Sequence, residues 1–140
     1  MKKFTQLLGL TFLPTSADIG LLLLRVGFGA LLITHGWGKI GKLTSDLPVM
    51  FPDPLGVGTT ASLSLAIFAE VFCAALLVLG AFTRFAALVC AITMLVAFFG
   101  VHGGKISEGE MALLYAIPFV VLVLTGGGRY AVDTKLPAFQ

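Results

Sequence analysis

Two charged side chains, Arg25 and Glu70, lie inside long apolar stretches of this sequence, where ionised groups are rare. On translocon scales such a group costs about 2.5–3.5 kcal/mol if it stands alone at the centre of a bilayer. Counting about 1.5 Å of rise per residue from the ends of the two stretches places the two groups at similar depths, within reach of an extended arginine side chain. We therefore predict an Arg25–Glu70 ion pair.

A buried pair of this kind has two interpretations. It can act in a proton relay or hold the polar head of a quinone-like ligand, as intramembrane ionisable groups often do. It can instead do no more than fix which helices pack together. His35 lies in the same apolar stretch as Arg25 and could donate to Glu70 or to a ligand carbonyl. The candidate site therefore comprises Arg25, His35 and Glu70.

A second polar cluster is expected at the opposite membrane edge, formed by Lys39, His102 and Glu110. Arg25 and Lys39 are separated by about 40° on a helical wheel, so one polar face can run between them. Imidazole and carboxylate groups suit several divalent metals. The histidines lack a metal-binding spacing such as HxxxH, however, and ordinary loop residues reaching toward the membrane surface are the simpler interpretation. We predict no metal site.

Both cysteines, Cys73 and Cys90, lie in apolar stretches. Cys73 follows Glu70 by one helical turn, and Cys90 falls at a similar depth on the next stretch, so a redox-active thiol pair is one hypothesis. The alternative is that both act as small apolar residues, as buried free cysteines usually do. Because haem-type histidine pairs and iron–sulfur spacings are missing from the sequence, we predict no covalent cofactor.

Membrane-spanning helices must position these groups. The chain is 58% hydrophobic and 11% charged, whereas ordinary globular domains carry about 25% charged residues. Its net charge of +2 offers no basic excess for nucleic acid. A spanning helix needs about 20 mostly apolar residues, and the stretches that qualify are Ile19–Trp37, Thr60–Leu79, Phe85–Val101 and Met111–Leu124. They predict an all-α integral membrane four-helix bundle, up-down-up-down, over residues 17–140.

The remaining segments complete this arrangement. Prolines and glycines predict one long loop over residues 39–58, and Gly80 predicts a helix C-terminal cap before a tight turn. Residues 1–16 predict a short interfacial segment, with a secretory signal as the alternative. Lysine and arginine are more numerous on the side of the termini, which predicts that both termini are cytoplasmic. The glycines of the first span predict close helix packing, with Gly20 and Gly27 on one stripe; they are Gly20, Gly27, Gly29 and Gly36.

The order of several short motifs resembles the DoxX family of small four-helix membrane proteins. The motifs are LLLLRVGFGALLITHGWGK (Leu21–Lys39), the buried Glu70, LGAFTR (Leu79–Arg84) and GGGRYAVD (Gly126–Asp133). Ala131 and Val132 depart from the serine and leucine frequent in the family, and Arg129 and Asp133 are retained. The resemblance implies a multi-pass protein of the bacterial or archaeal cytoplasmic (inner) membrane, associated with quinone-linked redox systems. It supplies no catalytic residues.

Two functions of different classes remain open. The first is a redox-associated subunit that binds a quinone or a similar lipid-soluble ligand between its helices and exchanges protons with it. The second is a non-enzymatic membrane anchor or assembly factor for a soluble redox partner. A third hypothesis is transport of a small solute. It is weaker than the other two, because four helices enclose little space unless the protein forms a homo-oligomer. Whether the chain has a catalytic activity stays open.

Overall fold

The computed structural model describes residues 14–135, and the regular secondary structure in this range is helical. Four long helices follow one another: α1, Pro14–Thr44; α2, Thr59–Leu79; α3, Thr83–Val101; and α4, Ile106–Thr125. A short 3-10 helix, Val132–Lys135, comes after α4. All four long helices have the length and apolar composition to cross a bilayer. The predicted four-helix membrane bundle is therefore confirmed.

The bundle has two distinct ends. The termini end holds the start of α1 and residues 126–135, and the loop end holds the loop of residues 45–58 and the turn between α3 and α4. Helix α1 is 31 residues long, or about 46 Å, which exceeds the roughly 30 Å of a hydrocarbon core. Of the predicted interfacial segment 1–16, only residues 14–16 are among the described residues, and they belong to α1.

Three helix ends lie five or more residues outside the predicted spans, the first being the start of α1 at Pro14 rather than Ile19. Helix α1 continues past Trp37 to Thr44, so Lys39 is helical and the long loop covers only residues 45–58. Helix α4 begins at Ile106, five residues earlier than predicted. Hydropathy marks only the apolar part of a span, whereas a helix can continue through polar residues beyond it, as α1 does through Lys39 and Lys42. Placing Lys39 on a helix has the largest consequence, because it gives that side chain a defined direction.

Two of the helices contain a π-helical turn, which accommodates an extra residue. These turns span Phe68–Cys73 in α2 and Ala97–Val101 at the end of α3. Such turns are rare and occur frequently at functional sites. Glu70 is the only charged residue of the first turn, FAEVFC.

Small residues let the helices pack closely. The buried core combines alanines and cysteines of α2 and α3 with larger side chains of α4, among them Ala74, Ala87, Ala91, Phe119 and Leu122. Within lipid, burial from water cannot drive helices together, so association depends on close van der Waals contact between such surfaces.

Helix α1 meets α2 at two of the predicted glycines, Gly29 and Gly36, whereas the prediction was wrong for the stripe of Gly20 and Gly27. A Cβ atom at Gly36 would lie 2.8 Å from Glu70 Cβ, a distance too short for two carbon atoms. At Gly20 and Gly27, an added Cβ would meet nothing within 4 Å. The close packing itself was predicted correctly, but glycine spacing alone does not reveal which face of α1 meets its neighbour.

The turn between α2 and α3 is held by the C-terminal residues. Gly80 ends α2 with φ at 74°, and its amide donates to the Leu76 carbonyl at 2.8 Å, which confirms the predicted cap. The Asp133 carboxylate accepts hydrogen bonds from the amides of Phe82 and Thr83 at 2.6 and 2.8 Å. It thereby caps the start of α3, as a carboxylate at a helix N-terminus does.

Candidate functional site

The buried carboxylate of Glu70 forms an ion pair with Lys39. Lys39 Nζ lies 2.5 Å from Glu70 Oε1 and 2.6 Å from Oε2, so the ammonium bridges both oxygens. The side chain of Glu70 is 5% exposed and that of Lys39 is 26% exposed. Gly36, one turn before Lys39, brings α1 close to α2 at Glu70 because it has no side chain to separate them.

The predicted Arg25–Glu70 pair was wrong. Gly36 is the α1 residue level with Glu70, whereas Arg25 donates to carbonyls in the last turn of α2. Arg25 and Gly36 are separated by about 16 Å along a helix. The prediction assumed that the start of α1 lies at the same depth as the end of α2. Helix α1 in fact extends beyond the end of α2, and residues 126–135 pack against that extension.

Arg25 is buried, and the hydrogen bonds that the described residues make with it all end on backbone carbonyls. Nη1 donates to Leu77 and Val78 at 3.2 and 2.7 Å, Nε donates to Gly127 at 3.2 Å, and Nη2 donates to Tyr130 at 2.7 Å. The guanidinium thus balances the negative end of the α2 dipole and ties the C-terminal residues to the bundle. These contacts correspond to the second interpretation of the buried charges, in which they fix how the helices pack together.

His35 lies apart from the ion pair. Its side chain is exposed, and its ring packs edge-on against Tyr115 of α4, with 5.6 Å between the ring centroids. No hydrogen bond joins it to Glu70 in the part of the chain that the structure describes. Successive residues of a helix are turned by about 100°. Because Gly36 faces α2, its neighbour His35 is directed toward α4.

In the structure, the predicted second polar cluster of Lys39, His102 and Glu110 does not form. Lys39 is engaged by Glu70, and the side chain of Glu110 is exposed. Between residues 14 and 135, no ion pair connects the three. In the same range, His, Cys, Asp and Glu side chains do not assemble in groups of three that could hold a metal. The helical position of Lys39 is the physical reason, since it directs this side chain toward α2.

Cys73 and Cys90 are free thiols in the buried core. Both are 0% exposed, and Cys90 Sγ donates to the Ala69 carbonyl at 3.4 Å. Thiol exchange needs access for a second thiol or an oxidant. Their surroundings are those of small apolar residues, and redox exchange between them stays a prediction.

A cavity of about 360 Å³ lies beside the ion pair, between α2, α3 and the 45–58 loop. Its polar groups include Lys39, Glu70 and Ser62. Its walls are otherwise mainly apolar and include Phe51, Leu55, Leu65, Val89, Ile92 and Val101. Small-molecule sites have volumes of roughly 300–1,000 Å³ and combine apolar walls with a few placed polar groups. This cavity has the size and the lining of such a site, and we call it the ligand cavity.

The 45–58 loop folds back over the ligand cavity, and Asp53 anchors it there. The Asp53 carboxylate accepts hydrogen bonds from Ser62 Oγ at 2.7 Å, from the Gly58 amide at 2.8 Å and from the Val57 amide at 3.0 Å. The bond from Ser62, followed by those from the backbone, lowers the pKa of Asp53 below its ordinary value. The loop is therefore tied to the start of α2 by an ionised carboxylate at neutral pH.

Two loop side chains contact the helices around the cavity. Pro54 packs on α3 at Gly100, where an added Cβ would lie 2.7 Å from Pro54 Cβ. The ring centroid of Phe51 lies 5.6 Å from Lys39 Nζ, a cation–π distance. Sequence reasoning missed this cover. Its signal was the segment FPDPL (51–55), an unusually apolar run for a loop.

A larger and more polar cleft of about 690 Å³ lies at the termini end, lined in part by Thr83, Arg84 and Gly126–Gly128. It lies away from the Lys39–Glu70 pair and holds none of the candidate site residues. The ligand cavity combines a buried ion pair with apolar walls, and it is the stronger candidate for a site within the membrane.

Comparison with known proteins identifies the family. The profile of the DoxX family matches residues 20–103, which is more than half of the chain. The chain belongs to the DoxX family. It is 32% identical over 120 residues to an uncharacterised protein of Haemophilus influenzae, covering 80% of this chain and 87% of that protein. It is also 32% identical over 126 residues to the inner membrane protein YqjF of Escherichia coli strain K12, covering 85% and 93%. No solved structure matches the chain.

Membership in the family confirms the resemblance that the sequence motifs indicated. With four spanning helices, this family member is a multi-pass membrane protein. The matched range contains Arg25, Lys39 and Glu70 together with all of the loop that covers the ligand cavity.

Proposed function

We propose that this protein binds a quinone or a similar lipid-soluble ligand between its helices, as a redox-associated subunit. The observation that carries the proposal is the apolar cavity of about 360 Å³ with the partly buried Lys39–Glu70 pair on its polar side. A ligand with a small polar head and a lipid-soluble body needs apolar walls and a fixed polar group, and the ligand cavity supplies both.

The pair can serve both redox states of such a ligand. The Lys39 ammonium has three N–H donors, and one of them stays available for a quinone carbonyl when the other two bond to Glu70. The Glu70 carboxylate can accept from the hydroxyl of the reduced, quinol form. The protein then binds the ring and exchanges protons with it, while a redox protein partner supplies or removes the electrons.

The proposed location is the bacterial or archaeal cytoplasmic (inner) membrane, with both termini in the cytoplasm. The Escherichia coli relative is named as an inner membrane protein. Basic residues favour the cytoplasmic side of membrane proteins, and in this sequence those on the side of the termini outnumber those on the other side: Lys2, Lys3, Arg84, Arg129 and Lys135.

Photoaffinity labelling tests the binding. The purified protein in lipid nanodiscs is exposed to a benzoquinone that carries a decyl tail and an azide on the ring, with and without excess decylubiquinone. Labelled peptides are mapped by mass spectrometry. We expect decylubiquinone to suppress labelling in the segments that line the ligand cavity, at residues such as Phe51, Leu65, Val89, Thr93 and Val101.

Matched variants locate the polar contact. Lys39→Met should weaken labelling, whereas Lys42→Met, on the exposed part of the same helix, should not change it. Because Lys39→Met also removes an ion pair, Ala97→Phe provides an independent variant that narrows the cavity from α3 without touching the pair.

The outcomes also separate the two classes of function. If decylubiquinone suppresses no labelling of the wild-type protein at these segments, the proposal is wrong. A soluble redox protein that copurifies from native membranes and retains all activity by itself would then favour the membrane anchor or assembly factor.

A further inference from the structure

A second space of about 330 Å³ adjoins the ligand cavity on the outer face of α3. Four residues line both spaces: Pro54, Leu55, Ile92 and Val96. Because the two spaces share these side chains, the second one continues the first toward the surface of the bundle. We call the second space the outer groove.

The outer groove runs along one stripe of α3. Ile92, Leu95 and Phe99 are spaced three and four residues apart, so they lie on one helical face, and they extend over about 10 Å. Ile92 is 52% exposed and Phe99 is 65% exposed, on the outer surface of a spanning helix. The lining of the groove contains no charged or hydrogen-bonding side chain among the described residues. Such a groove suits a hydrocarbon chain and offers nothing to a polar head.

We infer that the ligand is an amphiphile whose polar head lies beside the Lys39–Glu70 pair and whose single hydrocarbon tail leaves through the outer groove into the lipid. The inference rests on the proposed function and narrows it. It assigns the ligand to the class of small polar rings with an isoprenoid or alkyl tail, and it excludes compact water-soluble molecules.

The distribution of polar groups supports this orientation of the ligand. Lys39, Glu70 and Ser62 line only the ligand cavity, whereas Leu95, Phe99 and Gly100 line only the outer groove. A polar head placed in the groove would lose its hydrogen bonds in a medium that has no water to replace them. A phospholipid fits less well, since its phosphate would bring a second negative charge close to the Glu70 carboxylate.

Two photoreactive probes test the inference on the full chain in lipid nanodiscs. The first is the decyl-tailed benzoquinone with an azide on the ring, and the second is the same molecule with a diazirine at the end of the tail. Only labelling that excess decylubiquinone suppresses is counted, because bulk lipid contacts every outer surface of α3. We expect the ring probe to label peptides of the ligand cavity and the tail probe to label the groove at Leu95 and Phe99.

A matched pair of variants tests the path of the tail. Leu95→Trp fills the outer groove and should weaken labelling by both probes about tenfold, which corresponds to an overpacking penalty of about 1.4 kcal/mol. Leu88→Trp places the same side chain two turns earlier on the same stripe, where it lines neither space, and should leave both probes unaffected.

The results distinguish this inference from the function on which it rests. If decylubiquinone suppresses ring labelling but not tail labelling, or if Leu95→Trp behaves like Leu88→Trp, the tail does not use the groove and the proposed function stands. If the ring probe itself is not displaced, the proposed function fails and the inference fails with it.

Discussion

Lys39→Met should destabilise the protein more than Glu70→Gln, although each substitution removes the same ion pair. Lys39→Met leaves a carboxylate that is 5% exposed without its partner. Glu70→Gln leaves an ammonium on a flexible side chain that is already 26% exposed and can reach water or lipid headgroups. Removing one partner of a buried pair costs about 3–5 kcal/mol. We expect about 3 kcal/mol for Lys39→Met and about 1–2 kcal/mol for Glu70→Gln.

The double variant separates the ion pair from the other effects of these substitutions. With both charges removed, neither side chain is left as an unpaired charge. The loss of stability in the double variant should therefore be smaller than the sum of the two single losses by at least about 1 kcal/mol. The free energy of unfolding can be measured in mixed micelles of dodecyl maltoside and SDS, with Trp37 as the single tryptophan reporter. Lys42→Met is the control and should change the free energy of unfolding by no more than about 0.5 kcal/mol. Strict additivity, or equal effects of Lys39→Met and Lys42→Met, would show that the Lys39–Glu70 ion pair does not stabilise the protein.

Three further predictions concern the elements around the site. In the same unfolding assay, Arg25→Met should cost about 3–5 kcal/mol, because four backbone carbonyls lose a charged donor and an unsatisfied buried acceptor costs about 1–3 kcal/mol. Gly36→Ala should cost about 1–3 kcal/mol, since its Cβ would overlap α2, while Gly27→Ala should be neutral or stabilising. The lowered pKa of Asp53 means that its hydrogen bonds stabilise the loop above about pH 4 and are lost as the pH falls through that lowered value. Hydrogen exchange of the loop amides, corrected for intrinsic rates, should rise in that acidic range, and Asp53→Asn should remove the pH dependence.

Each of these predictions has a contrary result. An Arg25→Met variant as stable as the wild type would show that the end of α2 needs no donor from α1. Equal effects at Gly36 and Gly27 would contradict the contact between α1 and α2. Loop exchange that stays constant from neutral pH to about pH 2 would show that Asp53 does not anchor the loop.

Features that depend on local composition could be predicted from the sequence. The four spans follow from apolar stretches long enough to cross a bilayer, and the cap at Gly80 follows from a glycine directly after such a stretch. The partner of Glu70 does not follow from local composition, because it depends on how far α1 is displaced along α2. A displacement of one helical turn is about 5.4 Å, and hydropathy does not register it.

Lys39 was nevertheless within reach of prediction. The first proline after the apolar stretch is Pro48, so α1 could continue past Trp37 and place Lys39 one turn beyond Gly36. The cover of the ligand cavity was only partly within reach of prediction. The apolar segment FPDPL (51–55) marks an unusual loop, but where that loop packs depends on contact between residues far apart in the chain, such as Pro54 and Gly100. The π-helical turn that carries Glu70 also has no marker in its sequence, FAEVFC.

The proposed function depends on ligand binding beside the Lys39–Glu70 pair, in the cavity between α2 and α3. An experimental structure of the protein with decylubiquinone in lipid tests it most directly. We expect density for a ring in the cavity, with an oxygen within hydrogen-bond distance of Lys39 Nζ, and for a tail that passes Ile92. A cavity closed by its own side chains, with the ring found elsewhere on the bundle and Lys39 turned away from Glu70, would contradict it.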